Sequence, residues 1–335
     1  MAVTVKKKLM KGSFRAFMKG IIDYAGLFPP ADLSLDTSIQ NYSRYRKTED
    51  AWMLSRFIIP ASRLKELEPY GDTLFSEGGP FAFSVLGKGT ETLAEFKEHI
   101  QELAEEVIRF HEKHGERVTT DILEIKLPRE AVFANDTGLL SDVYSETSKV
   151  FDGSALTPNH IFFEAYFEEN WKKEVGLVLE VMGDHEKSFE GKHVHQTAFK
   201  LRCGGIKAHM FPSVEEVAFS LNKAREVNVA LKATAGLHHP IRHYADSVQT
   251  KMYGFFNVFG GGMLGYAYDL NDEELSEILR EEDPDHFQFT DDGFHWKDLT
   301  VSTNEISKLR EVALISYGSC SFDEPREDLQ GLGLL

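Results

Sequence analysis

The chain has 335 residues, 42% of them hydrophobic, and a formal net charge of -17. That is enough for one large domain, and the negative charge argues against non-specific binding to nucleic acid or to an anionic membrane surface, which need cationic faces. Two cysteines, Cys203 and Cys320, leave no disulfide framework and fit a reducing cytosol.

The basic start MAVTVKKKLMKGSF lacks an apolar core and a small-residue cleavage site, so it reads as a solvated tail. A helix is expected over 14–22, a short strand over 25–28 and a helix over 34–46. Strands then follow over 54–60, 81–86, 120–127, 160–167, 197–203, 229–235 and 314–319. Between them lie helical patterns over 64–75, 92–114, 139–151, 171–188, 213–227, 252–268, 272–280 and 304–312, and a last helix over 326–332. Ser213 with Glu216 forms a capping box. The run 252–268 contains Gly260, Gly261, Gly262 and Asn257, is short for a membrane span, and reads as a buried helix. Segment 287–296, FQFTDDGFHW, has Asp-Asp-Gly between alternating arms and reads as a β-hairpin, an insertion over 285–298.

Eight strands alternating with helices predict a single (β/α)8 barrel of the TIM type spanning 1–335, with the hairpin inserted before the last strand. A doubly wound dinucleotide fold is disfavoured, because the first turn, AGLFPP, lacks the G-x-G-x-x-G phosphate loop.

Outward side chains of a barrel strand lie under helices, whereas inward ones near the C-terminal end face the active site. Leu123, Ile125 and Leu127 facing out place Glu124 and Lys126 inside. The same alternation points Glu164, Lys200, Arg202, Lys232 and Thr234 inward, and Arg56 opposite to Phe57 and Ile59. Cations outnumber carboxylates in this set although the protein is acidic, which predicts a small anionic ligand, a carboxylate or phosphate. Arg202 and Arg56 would clamp it, with Lys126 and Thr234 beside them. The strands ending Cys203-Gly204-Gly205 and Ala235-Gly236 supply flexible turns at the expected mouth.

Lys232 among cations in a dry site has the features of a base or Schiff-base nucleophile, with Lys200 lowering its pKa and Glu164 or Glu124 carrying protons. His238 and His239 follow Gly236; adjacent residues of an extended chain point opposite ways, so one can enter the site while the other packs. Structural, acid/base and metal-ligand roles are open to them, with His238 the acid/base candidate and His239 a binding one. His193 and His195 fall before the sixth strand, at the wrong end. The small-residue turn Gly318-Ser319-Cys320-Ser321 can expose backbone N–H groups to an anion, with Ser319 and Ser321 as binding residues. Cys203 and Cys320 read as buried and inert, since no thiolate-promoting neighbour is evident.

The strand KATAG at 232–236 resembles the Lys-Thr-Ser-Thr-Gly strand of the deoxyribose-phosphate aldolases, and Lys200 to Gly205 resembles their second lysine strand, Lys-Ala-Ser-Gly-Gly, in reverse order along the chain. That resemblance implies a (β/α)8 class I aldolase with Lys232 as the Schiff-base lysine and Lys200 as its proton-relay partner. The whole chain, including DYAGLFPP at 23–30 and GSCSFDEP at 318–325, resembles an uncharacterised bacterial family of barrel type, which implies no activity. The expectation is a lysine-centred lyase or isomerase acting on a small anionic carbonyl metabolite without a cofactor, free of nucleic acid and membrane and open to self-association. Two alternatives are a metal enzyme, with a divalent cation on Glu124, Glu164 and His238 or His239, and a non-catalytic barrel that binds a metabolite or a protein.

Overall fold

A computed structural model describes residues 10–134, 136–168, 170–188 and 195–335. Segment 1–9 and His193 lie outside the described residues. Eight strands form a closed barrel: Ile22–Tyr24, Leu54–Pro60, Phe81–Leu86, Val118–Lys126, His160–Glu164, Gln196–Arg202, Leu231–Thr234 and Leu314–Ser319, here the first to the eighth. All neighbours pair in parallel, and the first strand closes the ring between the eighth and the second. The order is that of a TIM-type barrel, with helices such as Leu35–Tyr45, Leu93–His114, Thr137–Asp152, Trp171–Ser188 and Val214–Glu226 between strands.

Period-two alternation sorts the barrel interior into layers. Ile122, Phe162, Ala198 and Ala230 form a small buried apolar cluster with Ile315. Two residues further along the same strands stand Glu124, Glu164, Lys200 and Lys232, so a charged layer rests on an apolar floor. The opposite faces carry Phe57, Phe83, Leu123, Ile125, Phe163, Phe199 and Ala233 into the larger core under the helices. Helix starts are well specified. Thr92 with Glu95, Ser213 with Glu216, Asn271 with Glu274 and Ser302 with Glu305 all make capping boxes, each cap contributing roughly 1 kcal/mol.

Several expectations are corrected. The first strand is Ile22–Tyr24, not 25–28, and the helix before it ends at Met18. Segment 64–75 is not an α-helix: Ala61–Tyr70 and Leu74–Ser76 are 3-10 turns, with Pro69 inside the first and no N–H there to continue an α-helical ladder. The expected helix 252–268 breaks into strand Thr250–Met252, a π-helical turn Phe256–Gly260 and helix Gly261–Tyr268. Asn257 holds that turn: its buried amide donates to the carbonyls of Ile278 and Glu281 at 2.8 Å and its oxygen accepts from the N–H of Arg242 at 2.9 Å.

The hairpin Phe287–Phe289 with Gly293–Trp296 is antiparallel as expected, and Leu299–Ser302 adds a third strand that the sequence did not reveal. A two-stranded ribbon, His243–Ala245 with Thr250–Met252, is a further addition. The hairpin docks through Phe289 and Phe294, whose rings lie 5.0–5.5 Å from Phe17, Phe256 and each other, except the more distant Phe256–Phe294 pair. Phe294 is fully buried there. Replacing it by alanine empties the centre of an aromatic cluster and should cost about 3–5 kcal/mol. Urea unfolding of Phe294→Ala would contradict this packing role if the loss stayed below about 1 kcal/mol.

Candidate active site

At the C-terminal end of the barrel the strands open into a cavity of about 350 Å³, lined among others by Glu124, Lys126, Glu164, Lys200, Arg202, Thr234, His238, Gly318 and Cys320. Pro29 and Pro30, in the loop after the first strand, form part of its wall. Alternating charges reach this cavity from deep inside. The Arg56 guanidinium donates to both Asp121 oxygens, through Nε at 2.6 Å and Nη2 at 2.5 Å, and lies 3.4 Å from Asp23. Asp23 accepts from Lys232 Nζ at 2.8 Å, and the same ammonium donates to Glu124 at 2.5 Å. The other Glu124 oxygen is 2.8 Å from Lys200, which reaches Glu164 at 2.7 Å; Glu164 in turn is 3.0 Å from Arg202. Ser84 donates to Glu124 at 2.5 Å and Ser316 to Asp23 at 2.6 Å.

Each member of this ladder sits where its strand puts it. Asp23, Glu124, Lys200 and Lys232 are all buried. Their ionised forms survive burial because each has an opposite charge in contact. For Asp23, burial alone would raise the carboxyl, but Lys232 and Arg56 outweigh it and hold it below the ordinary range. Burial opposes Glu124 in the same way, and Lys200 with Lys232 holds it well down. Glu164 is likewise lowered, against burial, by Lys200 and Arg202. Burial would lower Lys200, but Glu124 and Glu164 raise it above its ordinary value. Lys200 is therefore an ammonium at neutral pH.

The sequence-derived residues do not all meet at the cavity. Glu124, Glu164, Lys200, Arg202, Lys126, Thr234, Gly205, Gly236 and His238 meet at the cavity. Lys232 is inward as expected but lies one step deeper, with no exposed surface, enclosed by Asp23 and Glu124 and absent from the cavity wall. Arg56 lies beyond Asp23, away from the cavity and partly exposed, committed to Asp23 and Asp121, so the expected clamp of Arg56 with Arg202 does not form. Lys126 makes no ion pair among the described residues and lies 5.6 Å from the exposed Tyr166 ring, which Arg202 also approaches at 5.9 Å.

Gly204 and Gly236 allow a close crossing: a Cβ on Gly204 would fall 2.5 Å from Phe211, and Gly236 has φ +72. The carbonyl of Gly204 accepts from Arg202 Nε at 3.0 Å and so aims that guanidinium. Ala235, just before Gly236, also has φ 58, a left-handed conformation that costs an ordinary residue free energy and clusters at functional sites. This double left-handed turn, with buried Leu237 as anchor, sends the two histidines apart. His238 enters the cavity, whereas His239 pairs with Asp328 at 2.6 Å outside it.

Ser319 and Ser321 do not line the cavity, although Gly318 and Cys320 beside them do. The Ser319 hydroxyl donates to the Ser321 carbonyl at 2.6 Å, and the Ser321 hydroxyl accepts from the N–H of Glu324 at the start of the last helix. The oxygen-rich metal set is not assembled either, because lysines and an arginine occupy the Glu124 and Glu164 oxygens and His239 points elsewhere. Atoms of metal-ligand type from His238, Cys320 and Glu324 do converge, within 4.8 Å of one another.

Asp23, Asp121, Ser84 and Ser316 are site residues that the sequence reading missed. Asp23 escaped because the first strand was placed three residues too late. Asp121 has the wrong parity for an inward residue. It falls at the irregularity where Phe83 pairs with Thr120 but Ser84 pairs with Ile122, so a bulge re-aims it towards Arg56.

No protein-family model matches this sequence, and no curated protein matches it. Among solved structures the chain is similar to an engineered protein, at 13% identity over 84% of this chain and 80% of that chain, with a TM-score of 0.45. It is also similar to a double mutant of the Cellulomonas fimi endo-beta-1,4-mannanase, at 12% identity over 84% of this chain and 81% of that chain, with a TM-score of 0.44. Among the described residues no helix is long and apolar enough to cross a membrane.

Removing Lys232 would leave Asp23 and Glu124 facing each other without their shared cation. Lys232→Met should therefore lose about 3–5 kcal/mol at pH 7. The sign of its pH dependence follows from the depressed carboxyls. Their contribution is present above the ordinary carboxylate range, ~4, and is lost as pH falls through the lower folded values. The gap between wild type and variant should thus narrow in acid. Urea unfolding from pH 7 down to pH 3 checks both points, and a gap that is small or independent of pH would contradict them.

Proposed function

We propose that this chain is an enzyme acting on a small anionic carbonyl compound, carboxylated or phosphorylated, by isomerase- or lyase-type chemistry centred on a lysine. The observation that carries this reading is the contact of Lys200 with Glu164, 2.7 Å, at the wall of the cavity. An ammonium and a carboxylate held side by side can act on neighbouring atoms of one substrate. The ammonium donates a hydrogen bond to a carbonyl oxygen and stabilises the negative charge that develops there. The carboxylate takes the proton from the adjacent carbon, and its basicity increases as Lys200 turns towards the new oxyanion.

The sign of the wall supports an anionic substrate. Lys126, Lys200, Arg202 and His238 outnumber Glu124 and Glu164 around the cavity, in a protein whose net charge is -17. Arg202 and Lys126 flank Tyr166 at the rim and would hold the carboxylate or phosphate end. A Schiff base needs a neutral amine that can reach the carbonyl carbon. Lys232 is sealed below the cavity against two carboxylates, and Lys200 is held as a cation. The lysine role favoured here is therefore that of an electrophile, with Lys232 as the charge that fixes Glu124 beneath it.

The test is proton exchange at carbon. Small carboxylated and phosphorylated ketones and aldehydes are screened by thermal shift, and those that bind are followed by proton NMR in deuterium oxide. Wild type should exchange the hydrogen next to the carbonyl. Glu164→Gln should slow exchange by about 10²–10⁴-fold, and Lys200→Met should slow it comparably, with the thermal shift largely kept in the glutamine variant. Borohydride should trap no adduct. A borohydride-stabilised adduct on Lys200 or Lys232 would replace this reading with a covalent one, and exchange indifferent to Glu164 would end it.

A further inference from the structure

Cys320 follows directly on the eighth strand and lines the cavity. His238 Nδ1 stands 3.7 Å from its sulfur and Nε2 4.0 Å. The same Nδ1 lies 3.4 Å from a Glu324 oxygen and 3.5 Å from the Ser319 hydroxyl. A thiol, an imidazole and a carboxylate thus meet at the barrel mouth, brought there by three separate elements: the eighth strand, the left-handed turn after the seventh, and the last helix, Asp323–Gly331. The sulfur and the carboxylate share the Nδ1 side of the ring, and Nε2 also lies near the sulfur, so a nucleophile stands next to a base with a carboxylate against it.

We propose that Cys320 is the nucleophilic sulfur of the mouth, with His238 as the ring that takes up and returns its proton and Glu324 as the residue that positions the ring. Its ligand class is an electrophilic carbon, and the one at hand is the carbonyl of the anionic compound proposed above; the choice of carbonyl rests on that reading, while the activated thiol does not. In the step, the Cys320 sulfur adds to the carbonyl carbon and forms the C–S bond. The C=O π pair moves to oxygen, and the His238 proton passes to it. The product is a neutral hemithioacetal with a neutral imidazole, no group leaves, and reversal restores both partners.

The surroundings agree. Burial opposes a charged His238, but its hydrogen bonds to Cys320 and Glu324 outweigh that and raise it to about 9, so the imidazolium is the resting form at pH 7. The charged and titratable groups facing the thiol are His238 from the turn, Glu324 from the helix and Tyr24 from the first strand, whose hydroxyl burial holds above its ordinary value. The other cysteine is a built-in control: Cys203 is fully buried, and burial pushes its thiol up to about 12.

The test is site-resolved alkylation of the full-length chain by iodoacetamide, read by peptide mass mapping from pH 5 to pH 10; the sulfur–carbon bond forms and iodide leaves. Cys320 should react at pH 7 near its maximal rate, with a half-maximal point well below the ~8.5 of a free thiol, while Cys203 stays unmodified. His238→Gln should move that point back to ~8.5 and slow the reaction at pH 7 about tenfold. Glu324→Gln should move it in the same direction by less. An activated Cys320 in a protein that exchanges no carbon-bound proton would leave the thiol proposal standing and sink the lysine reading alone. A half-maximal point at or above ~8.5 in wild type, no response to His238→Gln, or no labelling of Cys320 in the native protein would overturn the proposal. So would stoichiometric zinc lost in Cys320→Ser, since the thiol would then be a metal ligand.

Discussion

Lys232 lies with no exposed surface between Asp23 and Glu124, and that contact constrains everything above it. An isolated ammonium there would cost far more than a folded domain has to spare. Two carboxylates make it tolerable, and each then needs a further cation, which Arg56 supplies on one side and Lys200 on the other. Lys200 calls for Glu164, and Glu164 for Arg202. Opposite charges thus alternate from the lower barrel to the cavity wall, across the second, first, seventh, fourth, sixth and fifth strands. Such a ladder is a poor source of net stability, since apolar residues would fill the same space at lower desolvation cost. What it does is fix the protonation state and position of Lys200 and Glu164 at the cavity wall.

The alternation of residues along the strands made much of this legible beforehand. Leu123 and Ile125 on one face of the fourth strand left Glu124 and Lys126 for the other, and the structure puts both on the cavity wall. Four strand spans, Leu54–Pro60, Phe81–Leu86, Leu314–Ser319 and the start of His160–Glu164, are bounded by turn residues and appear where the sequence places them. Depth along the barrel axis was not legible. Parity says that Arg56 and Lys232 point inward, but not that they lie below the cavity, because strand stagger sets height and no local signal reports it. Asp23 was hidden for a related reason: a three-residue strand, IDY, has too few positions to show a period.

The mouth depends on residues whose backbone is out of the ordinary. Ala235 and Gly236 turn left-handed together, and this lets two adjacent histidines serve different surroundings, one beside Cys320 in the cavity and one against Asp328 outside it. From the sequence, the pair His238-His239 could be sorted into one inward and one outward residue, but the partner of the inward one lies 82 residues away and only the closed ring of strands brings it near. The cavity thus has two chemically distinct walls. One side offers fixed ammonium and guanidinium groups with a carboxylate base, and the other a thiol with its imidazole. A small carbonyl compound held between them would meet an electrophile, a base and a nucleophile without any of these having to move far.

The ladder holds Lys200 as a permanent cation at the cavity wall. Its side-chain nitrogen can be observed directly by NMR of protein labelled at the lysine Nζ, with Lys200→Arg to assign the signal. An ammonium that remains protonated beyond the ordinary lysine value of ~10.4 is expected, with its hydrogens slowed in exchange by the two carboxylates. A Lys200 signal that titrates near neutrality would contradict it, and would return the amine to the role of a nucleophile.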